Sequence, residues 1–253
     1  MDISIIISAH HEGVLAGISL SSAVRAIEKA TQVGISCEII AVLDKPDDDT
    51  QTLFQQQSLP CDFQVAEVDF ADQGLARNHA VQLARGQLVA LLDADDLWSA
   101  NWLVEAHRFI EKHGKRSICH PEVNWFFGEN NNLFFHVDQF DPEFDPRVLR
   151  FMNCWDSLCV AAREIFEHVP YDRRDLANGF AYEDWQWNCE TLERGYHHRV
   201  VPGTIHFKRR RRLSQNVIAS GSNALVRRSA LFVYGGANSV MNRSTCIPEQ
   251  ESN

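Results

Sequence analysis

The stretch Leu88-Val89-Ala90-Leu91-Leu92-Asp93-Ala94-Asp95-Asp96-Leu97-Trp98 decides the fold. Five apolar residues of strand length run directly into three carboxylates within four positions, so a buried strand delivers acids at its carboxyl end. Residues 3–8 are a further continuous apolar run, 37–43 read as a second buried strand, and 63–68 as another strand. Between them, 19–33 has helical spacing (Leu20, Val24, Ile27, Ala30), 47–57 and 75–85 look helical, and 100–113 places Trp102, Leu103, Ala106, Phe109 and Ile110 on one face. Apolar strands alternating with helices predict an α/β fold with a mostly parallel sheet covered on both faces. Such sheets bind ligands beyond the carboxyl ends of their strands. The polar residues to weigh are therefore those that follow Ser8, Leu43 and Leu92.

The second half is less regular. Residues 118–127 and 133–137 read as a hairpin around a turn at 128–132, 138–146 as an acidic loop, and 157–161 as a strand. A helix is expected over 182–194, ending at Gly195, followed by short strands at 197–201 and 204–207. No linker splits the chain.

The 253 residues are 45% hydrophobic and 23% charged, a globular composition. Twenty-four Lys and Arg against 34 acids give −10, but residues 205–229 hold seven basic residues and no acid, leaving −17 elsewhere. An acidic body repels a polyanion, which argues against nucleic acid and turns attention to a smaller anion for the basic segment. Seven dispersed cysteines without a CxxC pair suggest buried thiols, neither a disulfide framework nor a zinc knuckle. The first residues lack a basic start, so no signal peptide is expected. No apolar stretch approaches the ~20 residues of a spanning helix. A cytoplasmic protein is expected, with peripheral membrane contact open.

Asp93 and Asp95 so close together repel unless a cation or donors offset them, and a hard divalent ion, Mg²⁺ or Mn²⁺, suits such oxygens. Asp96 reads instead as the cap of the helix beginning near Ser99. Arg77, at a predicted helix start, is either exposed or reaches a diphosphate. Glu183-Asp184 opens a helix, where acids complement the dipole or act as acid–base groups. The run Lys208-Arg209-Arg210-Arg211-Arg212 is read as a solvated loop or a phosphate clamp. Residues 222–235 resemble a basic amphipathic helix that packs on the body or touches anionic lipid. Trp155, Trp185 and Trp187 are candidates for stacking on a sugar or for the core.

Four ordered pieces carry a family resemblance: residues 5–12, Val42-Leu43-Asp44, the 74–78 element leading into 91–98, and Glu183-Asp184-Trp185. Over roughly residues 3–212 the chain resembles the family 2 glycosyltransferases, inverting nucleotide-sugar-dependent enzymes of the GT-A fold. The resemblance implies one domain over 1–212, with a nucleotide-binding half at 1–98 and an acceptor and catalytic half at 99–212, and a C-terminal extension at 213–253. It implies that Asp93 and Asp95 form the DxD motif, with His206 as third ligand of a Mn²⁺ or Mg²⁺ ion. Ala9, His10, Glu12 and Asp44 match residues around the base and ribose, Asp44 being the acid toward the base. Arg77, Arg209 and Arg212 join the nucleotide set. Asp184 matches the general base, with Glu183 orienting the donor or acceptor and Trp185 near the acceptor. The implied donor is a nucleoside diphosphate sugar, a UDP-sugar first, and the implied acceptor is a glycan or glycolipid of a bacterial surface polysaccharide. The family often has Pro and an aromatic where this chain has Ser8 and His10, and a second Asp where it has Lys45. The alternatives are a sugar-nucleotide nucleotidyltransferase and a non-catalytic glycan-binding protein on the same fold. The acidic, glycine-poor stretch Ala9-His10-His11-Glu12-Gly13 argues against the first.

Overall fold

The apolar runs fold as strands with both faces covered. In the computed structural model, which describes residues 1–211, 221 and 224–232, β1 (Ile3–Ala9) is buried at all seven positions. Helix α1 (Leu15–Gln32) packs Ala16, Leu20, Ala23 and Ile27 against the sheet, and β2 (Cys37–Asp44) is again wholly buried. Helix α2 (Asp48–Gln55) starts at Asp47, whose carboxylate accepts the Thr50 N–H at 3.0 Å. Edge strand β3 (Asp62–Val68) lacks that burial. Helix α3 (Gln73–Leu83) is capped by Asp72, which accepts the Leu75 N–H at 3.0 Å. Strand β4 (Leu88–Asp93) then pairs in parallel with the opposite side of β1, Ser8 lying beside Asp93. The order β3-β2-β1-β4 makes the chain leave β1 in one direction and return on the other side. A crevice therefore opens beyond the carboxyl ends of β1 and β4.

The second half extends the same sheet with mixed direction. It comprises β5 (Leu97–Trp98), α4 (Trp102–His113), β6 (Ser117–Gly128), β7 (Asn132–Phe135), β8 (Val160–Ala162), α5 (Arg163–His168), α6 (Glu183–Glu193) and β9 (His197–Arg210). Strand β8 runs antiparallel to both β4 and β6 and so joins the halves, while β9 runs parallel to β6 and antiparallel to β5. The α/β sheet flanked by helices is as expected: parallel through β3-β2-β1-β4 and between β6 and β9, with short antiparallel pairings in the less regular second half.

Three expectations need correction. The two short strands are one, β9: Gly203, at φ +72°, carries the chain through the break, and the pairing with β6 absorbs it by a register shift between Pro121 and Val123. Lys208, Arg209 and Arg210 are consequently strand residues opposite Phe126, Phe127 and Gly128, not a loop. Residues 224–232 hold no amphipathic helix; they run extended into a single 3-10 turn, Ala230–Phe232. Leu231 is buried there against a cluster containing Leu149, Trp155 and Cys189. Arg212 and most of the 213–253 extension lie outside the described residues. Among the described residues, no helix is long and apolar enough to cross a membrane.

Candidate active site

An open cleft of about 800 Å³ lies at the crevice predicted by the strand order. Its walls come from the ends of β1 and β4 (Ser8, Ala9, His10, Glu12, Asp93, Asp95, Asp96), from β6 (Asn124, Phe126), from the start of α6 (Glu183, Asp184) and from the end of β9 (Lys208 to Arg211). Asp44 lines it too. The non-glycine residues with positive φ among the described residues are Lys45 (52°), Ala71 (50°) and Tyr182 (64°). Each lines the cleft or adjoins a residue that does, which is where backbone strain tends to be held in service of a site.

Two carboxylates have structural partners that the sequence did not disclose. The Asp44 side chain accepts the N–H groups of Phe70, Ala71 and Asp72 at 2.8, 2.9 and 2.7 Å, and so fixes the loop leading into α3. The carbonyl oxygen of Asp44 meets Nδ1 of His10, which stacks on His11. Asp96 does not cap α4, whose preceding residue is Asn101. It is buried and accepts the Arg209 N–H at 2.7 Å, tying the acid-bearing loop to β9. Burial pushes the Asp96 carboxyl up to about 8, with Lys208 acting against the rise.

Arg77 is brought to Asp93 and not to the cleft. Its guanidinium is 1% exposed and donates to Asp93 Oδ1 at 2.7 Å and to Ser157 Oγ at 3.3 Å. Burial opposes its charge, but Asp93 outweighs that and holds Arg77 fully protonated. Ser8 Oγ and Gln73 Nε2 also donate to Asp93 Oδ1, at 3.0 and 2.6 Å. Arg77 is therefore a buried brace for Asp93, correcting its placement among the nucleotide contacts.

His206 is likewise elsewhere. Its ring is fully buried, with centroid distances of 6.2 Å to Trp98 and 4.7 Å to Trp102, and neither nitrogen has a hydrogen-bond partner. Burial holds it neutral. It does not line the cleft. The side chain that does enter the acid cluster is Lys208, two positions further along the same face of β9. Its Nζ lies 2.8 Å from Asp156 Oδ1, 3.2 Å from Asp96 Oδ2 and 4.0 Å from Asp93 Oδ2. Arg211 meets Asp95 at 2.5 and 2.7 Å and Glu12 at 3.2 Å. Asp93, Asp95 and His206 do not fit a divalent ion as a donor set: the imidazole is turned into the core, and both acids already face cations of the chain. Among the described residues, no group of three or more His, Cys, Asp or Glu is arranged to hold a metal ion.

Glu183 and Asp184 open α6 and line the same cleft. Gly74 allows their close approach to α3, since a Cβ there would lie 2.9 Å from Tyr171 Cβ and 3.3 Å from Glu183 Cγ. Asn153 donates to Asp184 Oδ2 at 3.3 Å. Burial first, then the neighbouring Glu183 and Asp156 charges, raise the Asp184 carboxyl to about 7, in the range where a carboxylate works as a base at neutral pH. Trp185 points elsewhere: its Nε1 donates to the Leu149 carbonyl at 2.9 Å and its ring packs on the cluster around Trp155. It is a core-side residue, not a cleft residue. Sequence reasoning missed Asp156, Asn153 and Gln73. None of them belongs to a local pattern. Lys208 and Arg211 were visible only as members of a charge run.

The fold is one found in known proteins. The family model described as Glycosyl transferase family 2 matches residues 4–234. An uncharacterized glycosyltransferase of Methanocaldococcus jannaschii is 34% identical over 71 residues, 28% of this chain and 23% of that protein. Among solved structures, residues 1–349 of S. aureus TarS in complex with UDP-GlcNAc superpose with a TM-score of 0.66 at 16% identity, covering 85% of this chain and 60% of that one. GalNAc-T7 with UDP, GalNAc and Mn²⁺ gives 0.61 at 16% identity, covering 83% of this chain and 44% of that one. The chain thus spans less than two thirds of the length of these relatives, and at such identity the structural likeness concerns the GT-A fold alone. With the match running over nearly all of its length, the chain belongs to glycosyl transferase family 2.

Proposed function

We propose that this chain transfers a sugar from a nucleoside diphosphate sugar, a UDP-sugar first, to a hydroxyl of a glycan or glycolipid with inversion at the anomeric carbon. The observation that carries the reading is Asp184, a carboxylate raised to about 7 that lines one cleft with the acids at the ends of β1 and β4. Inversion requires a single displacement, so the base stands on the side of the sugar opposite the leaving group. The acceptor hydroxyl oxygen bonds to the anomeric carbon as the bond to the β-phosphate oxygen breaks. The electron pair departs with the diphosphate, and the hydroxyl proton passes to Asp184. Glu183, one position before it on the same wall, orients the sugar.

Around the nucleotide, Ala9, His10 and Glu12 line the cleft on the β1 side, and Arg209 to Arg211 supply positive charge where the diphosphate develops its own. The complexes of TarS with UDP-GlcNAc and of GalNAc-T7 with UDP support a uridine donor. An acceptor within bacterial surface polysaccharide synthesis follows from the family resemblance.

The test is product analysis with a panel of sugar nucleotides and candidate glycan acceptors. Release of a free nucleoside diphosphate together with an inverted glycosidic linkage is the expected result. Pyrophosphate formed from a nucleoside triphosphate would assign the chain to nucleotidyl transfer instead.

A further inference from the structure

The acid cluster at the end of β4 is served by cations that belong to the chain itself. Lys208 is a strand residue, fixed by pairing opposite Phe126 on β6, and its side chain is only 14% exposed. Within 4.0 Å of its ammonium lie carboxylate oxygens of Asp156, Asp96 and Asp93. Asp156 and Asp96, at 2.8 and 3.2 Å, take at most two of its three N–H donors. Desolvation opposes the charge on Lys208, but the surrounding acids prevail and keep it protonated. Asp156 is itself held in place by the Asn124 amide at 2.7 Å and the Leu158 N–H at 2.9 Å. The arrangement is anchored at both ends: a strand-borne cation and a hydrogen-bonded carboxylate.

His206, one pleat earlier on the same face, has its ring between Trp98 and Trp102. The strand therefore presents an ammonium, not an imidazole, to the acids. Arg211 supplies a second positive group on Asp95 and remains about one-third exposed toward the cleft.

We propose that Lys208 stands in for a divalent cation in this chain, its ammonium and the Arg211 guanidinium together receiving the donor diphosphate, so that donor binding needs no metal. The proposal rests on the nucleotide-sugar reading above. Replacing an ion by an ammonium keeps one positive charge among the carboxylates and gives the phosphate a hydrogen-bond donor. It also makes the cation a permanent part of the fold, present before the ligand arrives.

The experiment is calorimetric titration of UDP, GDP, dTDP, ADP and CDP into the full chain, once with EDTA and once with Mn²⁺, repeated with a sugar nucleotide that carries the best binder's base. The wild type is expected to bind its nucleotide with affinities within about threefold in the two buffers. Lys208→Met is expected to lose at least about tenfold in EDTA and to regain part of that with Mn²⁺, the ion entering the vacated carboxylates. Binding by the wild type only in Mn²⁺ overturns the proposal without need of a variant. So does a folded Lys208→Met, by circular dichroism and melting, that binds in EDTA as the wild type does; Lys208 would then be structural. Failure of all five nucleotides in both buffers would sink the donor reading beneath it, a result distinct from metal-dependent binding.

Discussion

At the amino ends of β1 and β2, Glu38 is buried beside Ser4, Arg85 and Gly86; at the carboxyl ends of β1 and β4, Asp93, Asp95 and Asp96 gather with Asp156. The first cluster is closed. Glu38 accepts Ser4 Oγ at 2.6 Å, the Arg85 N–H at 2.8 Å and Arg85 Nε at 2.7 Å, while Ser4 Oγ in turn accepts the Gly86 N–H at 2.8 Å. Burial would raise Glu38, but these donors outweigh it and hold the carboxyl below its ordinary value. The second cluster is open to a cleft, crowds like charges, and holds Asp95 above its ordinary value, by burial first, although Arg211 opposes the rise. The same sheet thus spends buried acids on stability at one end and on readiness for a charged ligand at the other.

That division is most directly broken at Asp184. Asp184→Asn should lower turnover at pH 8 by about 10²–10⁴-fold, the range for loss of a general base. Nucleoside diphosphate affinity should stay within about twofold. Rates of diphosphate release beside calorimetric affinities check this, and a variant that keeps its turnover would remove Asp184 from the chemistry.

Glu38→Ala should do the reverse. It strands the Ser4 hydroxyl and the Arg85 N–H, so the urea unfolding free energy should fall by about 2–4 kcal/mol with nucleotide affinity unchanged. If affinity fell together with stability, the two ends would be coupled through the strands and the comparison would fail.

A smaller effect is expected where the sheet meets the catalytic wall. Gly74→Ala puts a methyl 2.9 Å from Tyr171 Cβ and 3.3 Å from Glu183 Cγ. The overpacking should cost about 1–3 kcal/mol and, by shifting Glu183, depress turnover more than donor affinity. Equal loss of both would place Glu183 among the nucleotide contacts.

The strands of the first half were legible because their signals are local. Continuous apolar runs gave β1, β2 and β4, and Asp93 to Asp96 announced a strand end carrying acids. What stayed hidden depends on residues far apart in the chain. Asp156 meets Lys208 across 52 positions, and nothing near Cys154-Trp155-Asp156-Ser157 marks it as charged-site machinery. Arg77 looks like any basic residue in a helix start; only the packing of α3 against β1, β2 and α5 buries it. Two short strands at 197–201 and 204–207 would end the sheet before Lys208, a reading that conceals the shared face of His206 and Lys208 on the single strand β9.

The two ends should also answer pH in opposite directions. Glu38 has a folded value below its ordinary 4.5, so the unfolded chain binds the proton more readily there, and the stability Glu38 contributes is present above that pH and lost as pH falls through the depressed value. Asp184 has a folded value of about 7 against an ordinary 3.8, so between these the folded chain holds a proton that the unfolded chain has released. Its contribution therefore erodes stability as pH rises from about 4 to 7. Asp184→Asn should gain on the wild type in urea midpoint across that window and match it near pH 4. Turnover depends on the ionised form, so the wild-type rate should fall toward a tenfold loss per pH unit below about 7. A single group would then account for both profiles: the pH interval in which the enzyme becomes active is the interval in which Asp184 makes the fold less stable. A rate profile flat from pH 5 to 8 would separate the two and leave the raised carboxyl without a catalytic role.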